Sequence, residues 1–111
     1  MLPRKFRLNI LEFYRNSQKS NKLKASFGTV FFRLVNKQPS RFAVVVPSAL
    51  DKRTTCRHRT KRIIIEAVRS CIPDFIKNVE VLIKARKILA KQDRPEVERE
   101  VQTVFHKAEF I

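Results

Sequence analysis

Glycine, cysteine, tryptophan and acidic residues are all scarce in this chain: one Gly, two Cys, no Trp and 10 Asp plus Glu among 111 residues. A single glycine leaves no Gly-rich loop to cradle phosphate and no flexible Gly-rich RNA-binding linker. The two cysteines and two histidines, His58 and His106, have no zinc-ligand spacing. Cys56 and Cys71 lie on one predicted helix, roughly 22 Å apart at 1.5 Å per residue. They cannot bridge and are expected as reduced core residues. No paired carboxylates stand out, so neither a metal site nor a catalytic group is expected on the chain. Long apolar runs are missing too. The longest, Phe42 to Val46, is far too short to span a bilayer, and Met1 to Arg7 carries charge without an apolar segment of signal-peptide length. The expectation is a cytoplasmic protein with no membrane contact.

What the chain has is positive charge. Against those few acids stand 25 Lys and Arg, for a net charge of +15 and a pI near 10.8, which points to a polyanionic partner and first of all to nucleic acid. The rest is globular: 43% hydrophobic with nine Phe, enough for one modest core and one domain over residues 1–111. The charge is concentrated. From Lys52 to Arg69 there are seven Lys or Arg and one Glu, within a stretch that reads as one amphipathic helix. At 100° per residue Cys56, Thr60, Ile63, Ile64, Ala67, Val68 and Cys71 share an apolar stripe suited to packing on a sheet. His58, Arg62, Ile65 and Arg69 run down the opposite face, flanked by Arg59 and Lys61. A merely solvated helix face mixes both signs; this one is nearly single-signed.

Around that helix the spacing predicts five other elements. Arg4 to about Ser17 has Phe6, Ile10 and Phe13 at helical spacing. Asn16 to Lys24 shows no apolar periodicity apart from Leu23 and reads as an exposed connection. Ser26 to Val35 alternates, with Val30, Phe32 and Leu34 on one face and Phe27, Thr29, Phe31 and Arg33 on the other. Arg41 to Val46 is β-rich and follows a turn-like Asn36 to Ser40, so an antiparallel hairpin of these two strands is the simplest pairing. Thr54 or Thr55 is placed to cap the basic helix, which ends before Pro73. A third strand runs from Val79 to Arg86. Asp93-Arg94-Pro95-Glu96 has capping-box spacing before a last helix lined by Val97, Val101, Val104, Phe105 and Ala108. The order α-β-β-α-β-α makes an α+β two-layer sandwich, a small sheet covered by helices. With the basic helix on one sheet face, Phe27, Phe31 and Arg33 are expected on the other, where rings stack on unpaired bases and a guanidinium reaches phosphate, the alternative being that the N-terminal helix covers Phe27 and Phe31.

Acid–base cleavage of RNA by His58 and His106 is disfavoured, because no spacing brings them together. Cys56 and Cys71 lie on the apolar stripe, where a thiol stays protonated. If RNA is cut, the catalytic groups come from elsewhere.

Arg41-Phe42-Ala43-Val44-Val45-Val46-Pro47-Ser48, then Asp51 to Cys56, then Arg57-His58-Arg59-Thr60-Lys61-Arg62 with Glu66 and Arg69, together resemble the bacterial ribonuclease P protein component. In that family a hydrophobic strand and a Ser-Lys-Lys-type loop precede a helix of pattern Arg-Asn-Arg-x-Lys-Arg-x-x-Arg-Glu. Arg57, Arg59, Lys61, Arg62 and Glu66 match it, and Val79 to Arg86 resembles the late strand ending in Ala-Arg. The central Asn is His58 here, the Lys pair is Ala49-Leu50, and the later helix Arg is Ile65.

The resemblance implies a subunit of ribonuclease P that binds the catalytic RNA and precursor tRNA and assists Mg²⁺-dependent removal of the 5′ leader. The Mg²⁺ would be held mainly by the RNA subunit, and no obligate protein partner is implied. By position in the pattern, Lys52, Arg53, Arg57, His58, Arg59, Lys61, Arg62 and Arg69 are the RNA-binding candidates. Phe13, Phe27, Phe31 and Arg33 are the candidates for a leader cleft. A left-handed β-α-β crossover around the basic helix is also implied, against the general right-handed rule. The rival classes are a structural RNA-binding protein of the ribosomal type, which fits charge and size equally, and a DNA-binding module, which the Phe-bearing strand disfavours.

Overall fold

The computed structural model describes residues 6–10, 13, 21–35, 40–75 and 77–109. Strand β4 (Val79–Ala85) organises the sheet. Six of its seven residues are buried, the pattern of a strand covered on both faces, which favours a central position. It pairs antiparallel with β2 (Gly28–Leu34) and parallel with β3 (Arg41–Val45). Strand β1 (Asn21–Ala25) completes the order β1-β2-β4-β3. The expected β2–β3 hairpin is therefore wrong. The two runs are adjacent in sequence, but β4, buried on both faces, inserts between them, and β3 reaches it through helix α1 (Thr54–Cys71) as a parallel crossover.

Two further expectations need correction. The lysine-rich stretch whose spacing reads as an exposed connection ends in β1, whose Leu23 and Ala25 face the core while Lys22 and Lys24 face out. One apolar face suffices for an edge strand, and lysines blunt its open edge. The caps also differ. Neither Thr54 nor Thr55 caps α1; Arg53 is the N-cap residue without a side-chain bond, and Asp51 Oδ1 accepts from the Arg53 N–H at 2.8 Å. Asp93 reaches backwards, its Oδ2 accepting from the Ala90 N–H at 2.7 Å, rather than forwards into helix α2 (Arg94–Lys107).

Both helices pack on one side of the sheet. The α1 stripe is as the sequence predicts: Cys56, Thr60, Ile63, Ile64, Ala67, Val68 and Cys71 are its buried residues. They meet Val30, Phe42, Val44, Val79, Val81 and Ile83 from the sheet and Val97, Val101, Val104 and Phe105 from α2. Edge-to-face contacts of Phe42 with Phe75 and of Phe75 with Phe105, each 5.4 Å between centroids, link β3, the end of α1 and α2. Thr60 on the stripe is satisfied within the core. Its Oγ1 donates to the Cys56 carbonyl and accepts from the Leu89 N–H at 2.9 Å, tying α1 to the segment after β4. The single glycine sits where two backbones touch. A Cβ on Gly28 would lie 2.3 Å from the Lys84 carbonyl oxygen, so Gly28→Ala must push β2 off β4. That variant is expected to lose about 1–3 kcal/mol of stability as an overpacked site does, read as a lower urea midpoint with an unchanged m-value.

A second, smaller cluster lies on the other side of the sheet. Leu8, Phe13 and Leu82 form its centre, with Ile10, Phe31, Ala43 and Val45 against them. Of the expected N-terminal helix only residues 6–10 and 13 are described, and the remainder lies outside the described residues. Arg7 bridges to Phe42, the Leu8 N–H donates to the Phe42 carbonyl at 2.8 Å, and the Phe13 N–H donates to the Asn9 carbonyl at 3.1 Å.

Candidate nucleic-acid interface

The buried stripe of α1 dictates what its other face presents. With Ile63, Ile64, Ala67 and Val68 turned inwards, His58, Arg59, Lys61, Arg62 and Arg69 are exposed along one rigid helix. Lys52 is exposed just before it. The individual cations differ in how much of their hydrogen-bonding capacity is already used. Arg53 is committed locally: its guanidinium and backbone N–H both bind Asp51, with Nη2 to Oδ2 at 2.9 Å. Those bonds hold the Asp51 carboxyl down to about 2, so it stays ionised and Arg53 stays neutralised. Arg57 is half-buried, with Nη2 donating to Thr54 Oγ1 at 3.3 Å. Arg59 Nε donates to the Leu89 carbonyl at 3.2 Å. Glu66, half-buried, pairs with Arg94 of α2. It therefore serves the helix–helix contact and takes little charge from the outer face.

Lys61 and Ile65 form a ridge between two grooves. One, of about 220 Å³, runs between α1 and the sheet edge, with Leu8, Ile10, Phe42 and Ala43 as apolar wall and Arg7 and Lys61 at its mouth. The other, of about 150 Å³, lies among His58, Lys61, Arg62 and Ile65. Ile65 packs partly on the core and lends apolar surface to both.

The far face of the sheet carries different chemistry. Register places Lys22, Lys24, Thr29, Phe31, Arg33, Glu80, Leu82, Lys84, Arg41, Ala43 and Val45 on it. Phe31 is half-buried there and Arg33 lies beside it, as the strand alternation predicts. Phe27 does not join them. It occupies the β1–β2 turn, fully buried in the helix-side core, because alternation stops at the strand end. Phe13 reaches this face but is 1% exposed, and the Arg33 guanidinium lies over its ring at 5.2 Å. Near one end of β4 is Glu80, only 2% exposed, with Oε1 accepting from Arg33 Nε and Oε2 from Arg41 Nη2, both at 2.5 Å. No spacing along the chain announces this cluster: Arg33, Glu80 and Arg41 meet only through pairing of three strands. Lys22 and Lys24 belong to the stretch whose spacing reads as an exposed connection open to phosphate or solvent, but that they share a face with Lys84 follows only from the same strand pairing.

A single-signed cationic helix on a four-stranded sheet, with an aromatic and arginine-bearing far face, defines a small RNA-binding subunit. The sequence matches the ribonuclease P family over residues 2–109, and the chain belongs to that family. It is thus a protein subunit of ribonuclease P, a participant in an endoribonuclease ribonucleoprotein.

Solved structures agree on the fold. A mutant Staphylococcus aureus RNase P protein superposes with a TM-score of 0.76 at 16% identity, over 96% of this chain and 90% of that one. Another Staphylococcus aureus RNase P protein structure gives 0.74 at 17% identity, over 95% and 96%. The Thermotoga maritima RNase P protein gives 0.72 at 19% identity, over 91% and 96%. No curated protein matches the chain in sequence. Among the described residues no helix is long and apolar enough to cross a membrane.

Proposed function

We propose that this subunit binds the catalytic RNA of ribonuclease P and the 5′ leader of precursor tRNA, and that it assists removal of the leader while the RNA supplies the catalytic groups. The observation that carries this is the outer face of α1. Five exposed residues, His58, Arg59, Lys61, Arg62 and Arg69, project from an element whose opposite face is locked in the core. Cations fixed on a rigid helix neutralise phosphates without the ordering cost of a flexible tail, and they release counterions as they do so. Two polyanions must be brought together in this reaction, and a +15 protein lowers their mutual repulsion.

The family implies Mg²⁺. The donor set of this chain does not fit it: among the described residues no group of three or more His, Cys, Asp or Glu is arranged to hold a metal. Among the described residues the most buried carboxylate, Glu80, is engaged by two arginines. On this reading the metal's ligands belong to the RNA, whose phosphate oxygens suit it. The chain's own work is binding and orientation. Lys61 and Arg62 grip phosphate, and Phe31 with Arg33 receives unpaired bases of the leader on the far sheet face.

Precursor tRNA incubated with the cognate catalytic RNA at low Mg²⁺, with and without the protein, tests the reading. Protein-dependent cleavage at the mature 5′ end is expected. No stimulation by folded protein, with the RNA active at high Mg²⁺, would leave a structural RNA-binding role instead. Ile65 offers a finer test, since an apolar residue stands between two cation-lined grooves. Ile65→Arg is expected to tighten RNA binding and to steepen log affinity against log salt by about 0.7–0.9, the increment for one additional phosphate neutralised. An unchanged slope would mean that this ridge does not face RNA phosphate.

A further inference from the structure

The far face of the sheet has two chemically distinct ends. At one end Glu80 engages the hydrogen-bonding edges of two arginines: Arg33 through Nε and Nη2 to Oε1, and Arg41 through Nη2 to Oε2. Carboxylate-bound donors are poor phosphate ligands, because a phosphate would have to displace a charge-assisted bond that already has good geometry. Glu80 also cancels one of the two positive charges. Glu80 takes two of the five N–H donors of Arg33 and holds the plane of its guanidinium in place. One side of that plane rests on the Phe13 ring at 5.2 Å, and half-buried Phe31 is its neighbour on β2. Towards the other end Lys22, Lys24 and Lys84 are exposed on the same face, two from β1 and one from β4; Lys24 and Lys84 flank Thr29 in the register, and Lys22 pairs with Phe31. No ion pair engages them among the described residues.

The geometry points to Glu80 as a positioning residue that turns Arg33 from a phosphate ligand into part of a base-stacking platform, with the phosphate grip on this face supplied by Lys22, Lys24 and Lys84. The occupant is a single strand of RNA, whose bases have flat faces to stack and whose backbone is accessible alongside. This deepens the proposed leader-binding role and rests on it. It divides that role between two ends of one sheet: sequence-tolerant stacking at the Glu80 end and electrostatic attachment at the lysine end.

The test measures binding of precursor tRNA to the complex of this protein with the catalytic RNA, across a salt series. Mature tRNA serves as the reference. If the wild-type complex does not favour precursor over mature tRNA, the leader-binding reading itself fails, separately from the division proposed here. Where it does, Lys22→Ala, Lys24→Ala and Lys84→Ala combined are expected to flatten the salt slope by about 2, three phosphates at about 0.7 each for single strands. Arg33→Gln is expected to leave that slope unchanged and to weaken binding of an intact leader several-fold, with no effect on a leader carrying abasic sites. Glu80→Gln, with folding checked by circular dichroism, is expected to steepen the slope as Arg33 is released to phosphate, and Glu80→Asp to restore it. Should Glu80→Gln fail to fold, the Arg33→Gln comparison decides alone. A flatter slope for Arg33→Gln, equal losses on intact and abasic leaders, or an unchanged slope for the triple lysine variant would each overturn the inference.

Discussion

Glu80→Ala is expected to lower the unfolding free energy by about 3–5 kcal/mol, the range for breaking a buried ion pair from one side. The carboxylate is 2% exposed and both its oxygens are bound by arginine. Its removal leaves Arg33 and Arg41 facing the space that the carboxylate filled. Their side chains are 16% and 28% exposed, so each has some access to water, which favours the lower part of that range. Against a total stability of about 5–15 kcal/mol for a typical domain, even the lower value is a large share. The loss should be greater than that of the Gly28→Ala variant. Urea denaturation reads it directly, and a loss under about 1 kcal/mol would mean that the pair behaves as a solvent-screened surface contact.

Lys61→Ala with Arg62→Ala is expected to have the largest effect on RNA binding. Both side chains are exposed on the outer face of α1, and both line the groove that also holds His58 and Ile65. Neither appears in an ion pair among the described residues, in contrast to Arg53. The fold should be unaffected, since surface substitutions of this kind stay within about 0.5 kcal/mol. Affinity for the catalytic RNA should fall about ten- to a hundred-fold at moderate salt, and the slope of log affinity against log salt should flatten by about 2, roughly one unit for each phosphate no longer neutralised. Weaker binding with an unchanged slope would assign these residues to something other than phosphate. Arg53→Ala makes a useful contrast, because its guanidinium is already engaged by Asp51. It should change the slope less than either residue of the pair.

The basic helix could be read from one dimension because everything that defines it is periodic in one dimension. Seven residues at helical spacing predicted the buried stripe, and all seven are buried. Val97, Val101, Val104 and Phe105 were placed in the same way on α2. The family resemblance rested on this legible part, the run from Arg41 to Arg69 and the late strand, and the match over residues 2–109 extends it. Strand identity was partly legible. Val79, Val81 and Ile83 alternate as expected, but the polar sequence Asn21–Ala25 concealed an edge strand that buries little.

Strand pairing was not legible at all. Local proximity argued for β2 beside β3, whereas the energetics of the sheet put the most fully buried strand, β4, between them. That choice depends on which arrangement buries the most apolar surface, a property of the whole chain and not of any window within it. Everything on the far sheet face follows from it. Arg33, Arg41 and Glu80 stand on three strands and become one cluster around the buried carboxylate only in the register Arg33↔Glu80 and Arg41↔Glu80. Phe27, one residue before β2, falls in a turn and leaves the face that alternation assigned to it. The sequence by itself therefore determined the charge, the helix faces and the kind of partner, since these are local or additive. Only the tertiary structure decided which side chains share the second surface, because side chains distant in sequence are brought together by non-local strand pairing, and no spacing along the chain encodes their proximity.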